Sequence, residues 1–460
     1  MGLGLHGGGA ATARFFASRG AKVVVTDLRN RDVLENSLTS LLDFNIEYIL
    51  GEHRDEDFIN ADMVLKNPAV PPTSKYLKLC RNIETDISVF LRLNKRPILA
   101  VTGSKGKSTT TSAVFHALQS VYRDPRLGGN ITISPLSFFE KKSVKEWNAS
   151  NDPVVLELSS WQLADLAELK DPDGRSILRP EISVITNILK DHQDRYGGME
   201  SYILDKTNIY KNQSKEQYTI CNFDQETGRR FARETAGKVL FFSASPLPEG
   251  VEGAWLKEKT GFLRFNGKNL KILPETLSLP GPHNRMNLLV AAAMLSIFGE
   301  DENQTAKALS GFTGIAHRLE LVREKDGIRY FNDSAATIPD AVEAALASFT
   351  APIFLITGGT DKDLDFTPLK GSFDKTAGVF LLDGTAREKF EKTMALEGMN
   401  PRGVYGSLKE AFDDAVKSAL DEARKGKSPV VLLSPGCASF GMFLNEFDRG
   451  NQFRELVKAL

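Results

Sequence analysis

Residues 98–111, Ile-Leu-Ala-Val-Thr-Gly-Ser-Lys-Gly-Lys-Ser-Thr-Thr-Thr, constrain this chain more than any other stretch. A short apolar run ends at Gly103. Gly106, Lys107 and Ser108 follow, and a helix-compatible segment runs from Ser112 to Ser120. The order is strand, glycine loop, helix. Such a loop turns backbone N–H groups and a helix N-terminus toward a phosphate, with a lysine for the terminal phosphates and a hydroxyl for Mg²⁺. Only Ser104 and Lys105 separate Gly103 from Gly106, fewer than the usual spacing. The reading is a nucleoside triphosphate site; the plainer alternative is a glycine turn before a helix.

A chain of 460 residues exceeds one ordinary core and implies about three domains. With 41% hydrophobic and 25% charged residues and a net charge of -1, nothing favours nucleic acid or an anionic membrane as partner. Cys80, Cys221 and Cys437 are too few and too scattered for a disulfide framework or a zinc site, which suits a reducing cytoplasm. The longest apolar stretch, 288–298, is too short to span a bilayer, and the glycine-rich start does not read as a signal peptide.

Short β-branched runs alternate with helical patterns almost throughout, the signature of parallel α/β layers. The first unit runs to Asn94. Its Gly2-Leu3-Gly4-Leu5-His6-Gly7 matches G-x-G-x-x-G, and the strand 21–27 ends in Asp27, where an acid meets a ribose in dinucleotide folds. The strand that should precede these glycines is missing, so either the start is truncated or another segment fills the edge. A second unit from Lys95 carries the phosphate loop. The third, from about Gly314, shows strands near 328–331, 353–357, 379–382 and 430–433, a doubly wound pattern without a phosphate loop of its own.

Glu157 ends the apolar strand 154–157, where parallel sheets place ligands and a carboxylate can hold Mg²⁺ on ATP phosphates. His192, between Asp191 and Asp194, suits a metal, a substrate or a structural contact equally. Lys206 reads by composition as a solvated helix lysine. Asn284 and Asn287 share a helix face, open to an adenine edge or to helix capping. Arg318 could reach phosphates or form a rim salt bridge. Asn332-Asp333-Ser334 and Ser434-Pro435-Gly436-Cys437-Ala438-Ser439 read as helix caps that also attract carboxylates.

Taken in order, these segments, with Gly129-Asn130-Ile131, Glu157-Leu158-Ser159-Ser160 and His317-Arg318-x-Glu320, resemble the Mur ligases across essentially the whole chain. Within that family the chain is most similar to the branch that joins glutamate to UDP-N-acetylmuramoyl-L-alanine. The resemblance implies an α/β chain of three domains: a Rossmann-like UDP-substrate domain (1–94), a central P-loop ATPase domain with a parallel sheet (95–314) and a C-terminal doubly wound, Rossmann-like amino-acid domain (315–460).

It further implies that Gly4, Asp27, Arg29 and Asn130 serve the UDP-substrate. Gly103, Ser104, Lys105, Gly106, Lys107, Ser108, Thr109, Asn284, Asn287, Arg318 and Asp333 would serve ATP. Lys107, Glu157, His192 and Lys206 would be catalytic. Mg²⁺, at two sites, would be held by Ser108, Glu157, His192 and a carbamylated Lys206. Thr337, Lys362 and Ser439 would hold glutamate.

The implied substrates are UDP-MurNAc-L-Ala, glutamate and ATP, in a cytoplasmic monomer making peptidoglycan precursors. The family usually has Asn at Lys105, Lys at Ala335, Asp at Gly441, and its aromatic one place before Phe447. D-glutamate is the expected amino acid and L-glutamate the alternative. A folate polyglutamate ligase is the neighbouring reading, and the Asp27-Leu28-Arg29 segment argues against it. From the residues alone, a nicotinamide-dependent oxidoreductase and a nucleotide-binding regulator without turnover also stand.

Overall fold

The computed structural model describes residues 1–4, 7–189, 196, 198–361 and 364–460. It divides into two compact units, one of residues 1–275 and 286–309, the other of 276–285 and 310–460.

In the first unit an N-terminal layer holds β1 (Val23–Asp27), β2 (Ile46–Leu50), β3 (Val64–Leu65) and β4 (Ile83–Glu84), paired β1 with β2 and β3 with β4, both parallel. Residues 1–3 take part in the backbone pairing of this layer. The Met1 amine donates to the Leu65 carbonyl, Gly2 N–H to Thr26, and Asn67 N–H to Met1. Residues 1–3 thus bridge β1 and β3. They are too short to register in sequence as a β-run, and neighbouring backbone rather than side-chain pattern defines them.

The central layer is a nine-stranded sheet. Its members are β5 (Ile98–Thr102), β6 (Arg126–Gly129), β7 (Val154–Glu157), β8 (Ile182–Ile185), β9 (Tyr218–Asn222), β10 (Lys238–Ser243), β11 (Gly253–Lys257), β12 (Thr260–Phe265) and β13 (Lys268–Leu273). The order is β13-β12-β11-β10-β9-β8-β5-β7-β6, parallel from β6 to β11 and antiparallel over the last two pairs. The sheet is therefore mixed rather than wholly parallel. Asn266-Gly267, both left-handed, close the β12–β13 hairpin, the turn that Asn-Gly favours. Strands β5, β7 and β8 are buried along their length, as expected of a sheet covered on both faces. Strands β7 and β8 flank β5 on opposite sides, which opens a ligand crevice at the carboxyl ends of these three.

Trp147 fastens the chain where it enters this sheet. Fully buried, it stacks on Phe138 at 5.7 Å, carries the Arg96 guanidinium 3.6 Å over its ring, and donates its indole N–H to Asn94 at 2.8 Å. Arg96 in turn pairs with Asp124 at 3.1 Å. One large side chain thus joins the segment 94–96 to the central core.

The second unit has a six-stranded sheet: β14 (Glu320–Lys325), β15 (Ile328–Asn332), β16 (Ile353–Gly358), β17 (Thr376–Leu382), β18 (Gly403–Tyr405) and β19 (Val430–Leu433), in the order β14-β15-β19-β16-β17-β18. All pairs are parallel except β14–β15, closed by left-handed Asp326 and Gly327. No helix among the described residues is long and apolar enough to cross a membrane.

Replacing Trp147 with alanine removes the stack, the cation–π contact and the indole hydrogen bond together. The Trp147→Ala variant is expected to lose about 3–5 kcal/mol of stability, read as a lower denaturant midpoint.

Candidate active site

The glycine loop leaves β5 at Gly103 (φ 144°) and enters helix Lys107–Leu118 through Gly106 (φ 85°). Both positions exclude a side chain. A Cβ on Gly103 would lie 1.9 Å from Thr186 Oγ1, and one on Gly106 would lie 2.3 Å from Asn287 Oδ1. The loop is pinned from the end of β8. Thr186 Oγ1 donates to the Lys105 carbonyl at 2.6 Å, Asn187 Oδ1 accepts the Lys105 N–H at 2.9 Å, and the Ser104 N–H reaches the Asn187 carbonyl at 2.9 Å. Ser104 Oγ also meets Tyr202 Oη at 3.0 Å. The short spacing thus builds a loop clamped by the next strand, with Ser108 and Thr109 in the helix's first turn.

Two lysines converge on one carbonyl. Lys107 Nζ donates to Gly103 O at 2.9 Å and to Ser104 O at 3.0 Å. Lys206, on helix Met199–Thr207, donates its Nζ to the same Gly103 O at 3.0 Å and lies 4.6 Å over the Tyr202 ring. Its exposure is 2%. Composition reads Lys206 as solvated; tertiary structure buries it at the base of the phosphate loop.

Glu157 closes β7 beside β5, paired with Val101, and is 1% exposed. Its Oε1 accepts Asn130 Nδ2–H at 2.8 Å, whereas its Oε2 is buried without a hydrogen-bond partner among the described residues. An orphaned carboxylate oxygen is costly unless a ligand completes it. A hard divalent cation that takes oxygen ligands suits that oxygen, and Ser108, in the first turn of the helix after the phosphate loop, offers a hydroxyl. His192 lies outside the described residues.

Beyond this edge, a cavity of about 370 Å³ opens among Gly7, Ala10, Arg14, Ser37, Thr132 and Ser134. It lies at the N-terminus of helix Gly8–Ala17, where backbone N–H groups favour anions. Asp27 is buried and works on the fold: Oδ2 accepts Gly4 N–H at 3.1 Å and Oδ1 accepts Arg29 N–H at 2.9 Å. Arg29 is half-exposed, with its guanidinium 3.6 Å from Asp27.

In the second unit Asp333 and Ser439 lie at the carboxyl ends of β15 and β19, neighbours in the sheet. Both are buried, and Thr337 is half-buried. Gly436 N–H donates to Ala336 O at 2.8 Å, tying the two loops together. Asp333 Oδ2 accepts Ser434 Oγ–H at 2.8 Å and Oδ1 accepts Leu319 N–H at 3.0 Å. Burial pushes its carboxyl up to about 7 against these hydrogen bonds and the Arg318 charge. Arg318 is exposed between His317 and Leu319, both left-handed. Asn284 is buried within helix Pro282–Phe298 and donates an amide hydrogen to Pro280 O at 2.7 Å. Lys362 lies outside the described residues.

Sequence reasoning does not single out Thr186, Asn187, Tyr202 or Arg449. The first two follow a strand that is legible, and their position past its end is the available signal. Arg449 is fully buried, and among the described residues its acceptors are neutral: Ser334 Oγ at 3.0 Å, Ser334 O at 2.9 Å and Cys437 O at 3.2 Å. It clamps the Asp333 and Ser439 loops together, and nothing in its local sequence announces that.

Three family models match in succession: the Mur ligase MurD-like N-terminal domain over residues 1–89, the Mur ligase middle domain over 101–295, and the Mur ligase glutamate ligase domain over 317–437. The UDP-N-acetylmuramoylalanine–D-glutamate ligase of Roseiflexus sp. (strain RS-1) is 40% identical, covering 100% of this chain and 97% of its own. The protein of the same name from Treponema pallidum (strain Nichols) is 37% identical with the same coverage. Among solved structures, UDP-N-acetylmuramate-alanine ligase MurC from Thermotoga maritima superposes with a TM-score of 0.60 at 20% identity, covering 100% of this chain and 98% of that one. MurF ligase from Thermotoga maritima in complex with ADP gives 0.56 at 18% identity, covering 97% and 98%.

The raised Asp333 carboxyl sets a pH dependence. Its folded form holds the proton more tightly than the unfolded chain, so its contribution to stability is full below about pH 4 and is lost as pH rises through about 7. Asp333→Asn is expected to gain stability on the unsubstituted protein between those limits and no more above them. Denaturant midpoints of both proteins at a series of pH values check this; a constant difference would contradict it.

Proposed function

Because the chain belongs to the Mur ligase family, we propose that it is an ATP-dependent amide ligase that adds D-glutamate to UDP-N-acetylmuramoyl-L-alanine. The observation that carries this is the convergence of a phosphate loop, an orphaned carboxylate oxygen and a buried lysine at one sheet edge. The loop and the carboxylate suit any Mg²⁺–nucleotide site; the lysine buried beside them is the addition a ligase uses to organise further charge.

The chemistry has two steps. The terminal phosphoryl group of ATP passes to the alanyl carboxylate and ADP leaves, since a free carboxylate is a poor acyl donor. The glutamate amine, with loss of a proton, then attacks the acyl carbon through a tetrahedral intermediate; a C–N bond forms, the C–O bond breaks and phosphate leaves. Lys107 exchanges its bonds to Gly103 O and Ser104 O for phosphate oxygens, and the N–H groups of 104–109 line the same ligand. Mg²⁺, when bound, neutralises charge on the transferring group. Ser108, Glu157 Oε2, His192 and a modified Lys206 are the residues to hold it.

Lys206 suits carbamylation. Its Nζ as free amine adds to CO₂, forming an N–C bond and releasing a proton. One of two ammonium groups crowded on Gly103 O is thereby replaced by an anion. Asn284, Asn287, Arg318 and Asp333 complete the ATP contacts; Thr337, Lys362 and Ser439 hold glutamate. Gly4, Asp27, Arg29 and Asn130, with the cavity at helix Gly8–Ala17, take the UDP-substrate. The three roles fall on residues 1–94, 95–314 and 315–460, in a cytoplasmic monomer. D-glutamate is favoured over L-glutamate by the names of the relatives at 37–40% identity.

Phosphate release with UDP-MurNAc-L-Ala, ATP and each glutamate enantiomer tests the reading. One phosphate per amide with the D-enantiomer is expected, and no release with either contradicts it. Lys206→Ala is expected to lose at least a hundredfold in kcat, about the loss from one preorganised charge-stabilising group, and to recover in part with added bicarbonate or acetate. Full activity of the variant contradicts the carbamate.

A further inference from the structure

Asn130 has been placed with the UDP-substrate, but its contacts point elsewhere as well. Its Nδ2–H goes to Glu157 Oε1 at 2.8 Å and its backbone N–H to the Glu157 carbonyl at 2.8 Å. The preceding residue makes this double grip possible. Gly129 is left-handed (φ 98°), and a Cβ there would lie 2.2 Å from the Glu157 carbonyl oxygen. Strands β6 and β7 therefore end in contact closer than any other residue permits.

Glu157 is held at one oxygen and offered at the other. With Oε1 occupied by the amide, Oε2 is the buried oxygen without a hydrogen-bond partner among the described residues. A carboxylate free at both oxygens can rotate and present either. One anchored by a donor presents a single, fixed oxygen, which is how hydrogen-bond donors behind a metal-ligating carboxylate orient it.

We infer that Asn130 is a positioning residue for the divalent cation: its amide orients Glu157 so that Oε2 faces the metal. This rests on the reading of Glu157 as a metal ligand. The same segment reaches the anion-favouring cavity. Gly129 N–H donates to Ile133 O at 2.8 Å, Thr132 is left-handed (φ 66°), and Thr132, Ile133 and Ser134 line the cavity. Residues 129–134 thus connect the cavity wall to the metal carboxylate through a rigid turn. Linkage makes any influence of one site on the other reciprocal in binding free energy.

The test is Mn²⁺ binding to the full chain with a non-hydrolysable ATP analogue, followed by the electron paramagnetic resonance signal of free Mn²⁺. Omitting the UDP-substrate keeps that ligand's own contacts out of the measurement. Four variants are compared: Asn130→Ala, Asn130→Leu (near-isosteric, to keep the space filled), Glu157→Gln and the double Asn130→Ala/Glu157→Gln. Loss of the amide that orients the carboxylate is expected to raise the Mn²⁺ Kd about tenfold or more in both Asn130 variants. Analogue affinity without metal stays unchanged. The double variant is expected to be no weaker than Glu157→Gln, because Asn130 acts through that carboxylate.

Two results overturn the inference while leaving Glu157 a ligand. One is Mn²⁺ affinity within twofold of the unsubstituted protein in both Asn130 variants while Glu157→Gln weakens it. The other is additive losses in the double variant. If Glu157→Gln itself leaves Mn²⁺ binding unchanged, the metal reading of Glu157 fails and the role of Asn130 fails with it.

Discussion

The first unit's site depends on the close approach of backbone and side chain around Gly103. The carbonyl of that residue accepts from Lys107 and from Lys206, and the space where its Cβ would stand is taken by Thr186. Any side chain there would push β5 from β8, lift the loop off its clamp and move the buried lysine. The arrangement brings two lysine side chains onto one carbonyl oxygen at the base of the phosphate loop.

Placement at a switch point explains why so few elements suffice. Strands β7 and β8 lie on opposite sides of β5, so the segments that follow all three open at one edge. Glu157, Thr186 and the glycine loop come from segments tens of residues apart, yet each is a strand-end residue. The second unit repeats the plan: β15 and β19 adjoin, and the loops beyond them carry Asp333 and Ser439. There the clamp is Arg449, a buried guanidinium satisfied by one hydroxyl and two carbonyls. Burying that charge costs several kcal/mol unless a counter-charge arrives, so the clamp also lends positive potential to the loops it joins.

Much of the fold was legible. Periodicity located β5, β7, β8, β15, β16 and β19, because fully buried strands are apolar runs bounded by turn residues. Strands β14 and β18 were not, since edge strands carry mixed residues whose pairing alone makes them strands; Asp326-Gly327 was the one local sign of β14. The pairing of residues 1–3 with both β1 and β3 is backbone hydrogen bonding that no side-chain pattern marks. At the site, Gly103, Gly106, Lys107 and Glu157 stood out through spacing and strand-end position. Lys206 did not. A lysine among Asp, Thr and Asn on a helix looks solvated until the fold shows which face is covered, and only resemblance raised it.

The amino-acid sequence by itself determined the α/β alternation, the phosphate loop and the kinship with the Mur ligases, because these depend on local pattern and on residue order. Tertiary structure alone decided that Lys206 is buried, that Asn130 grips Glu157, that one carboxylate oxygen is left over and that Arg449 joins two loops. Each of these is a contact between residues far apart in the chain. Its existence depends on strand order and side-chain direction, which no window of sequence contains.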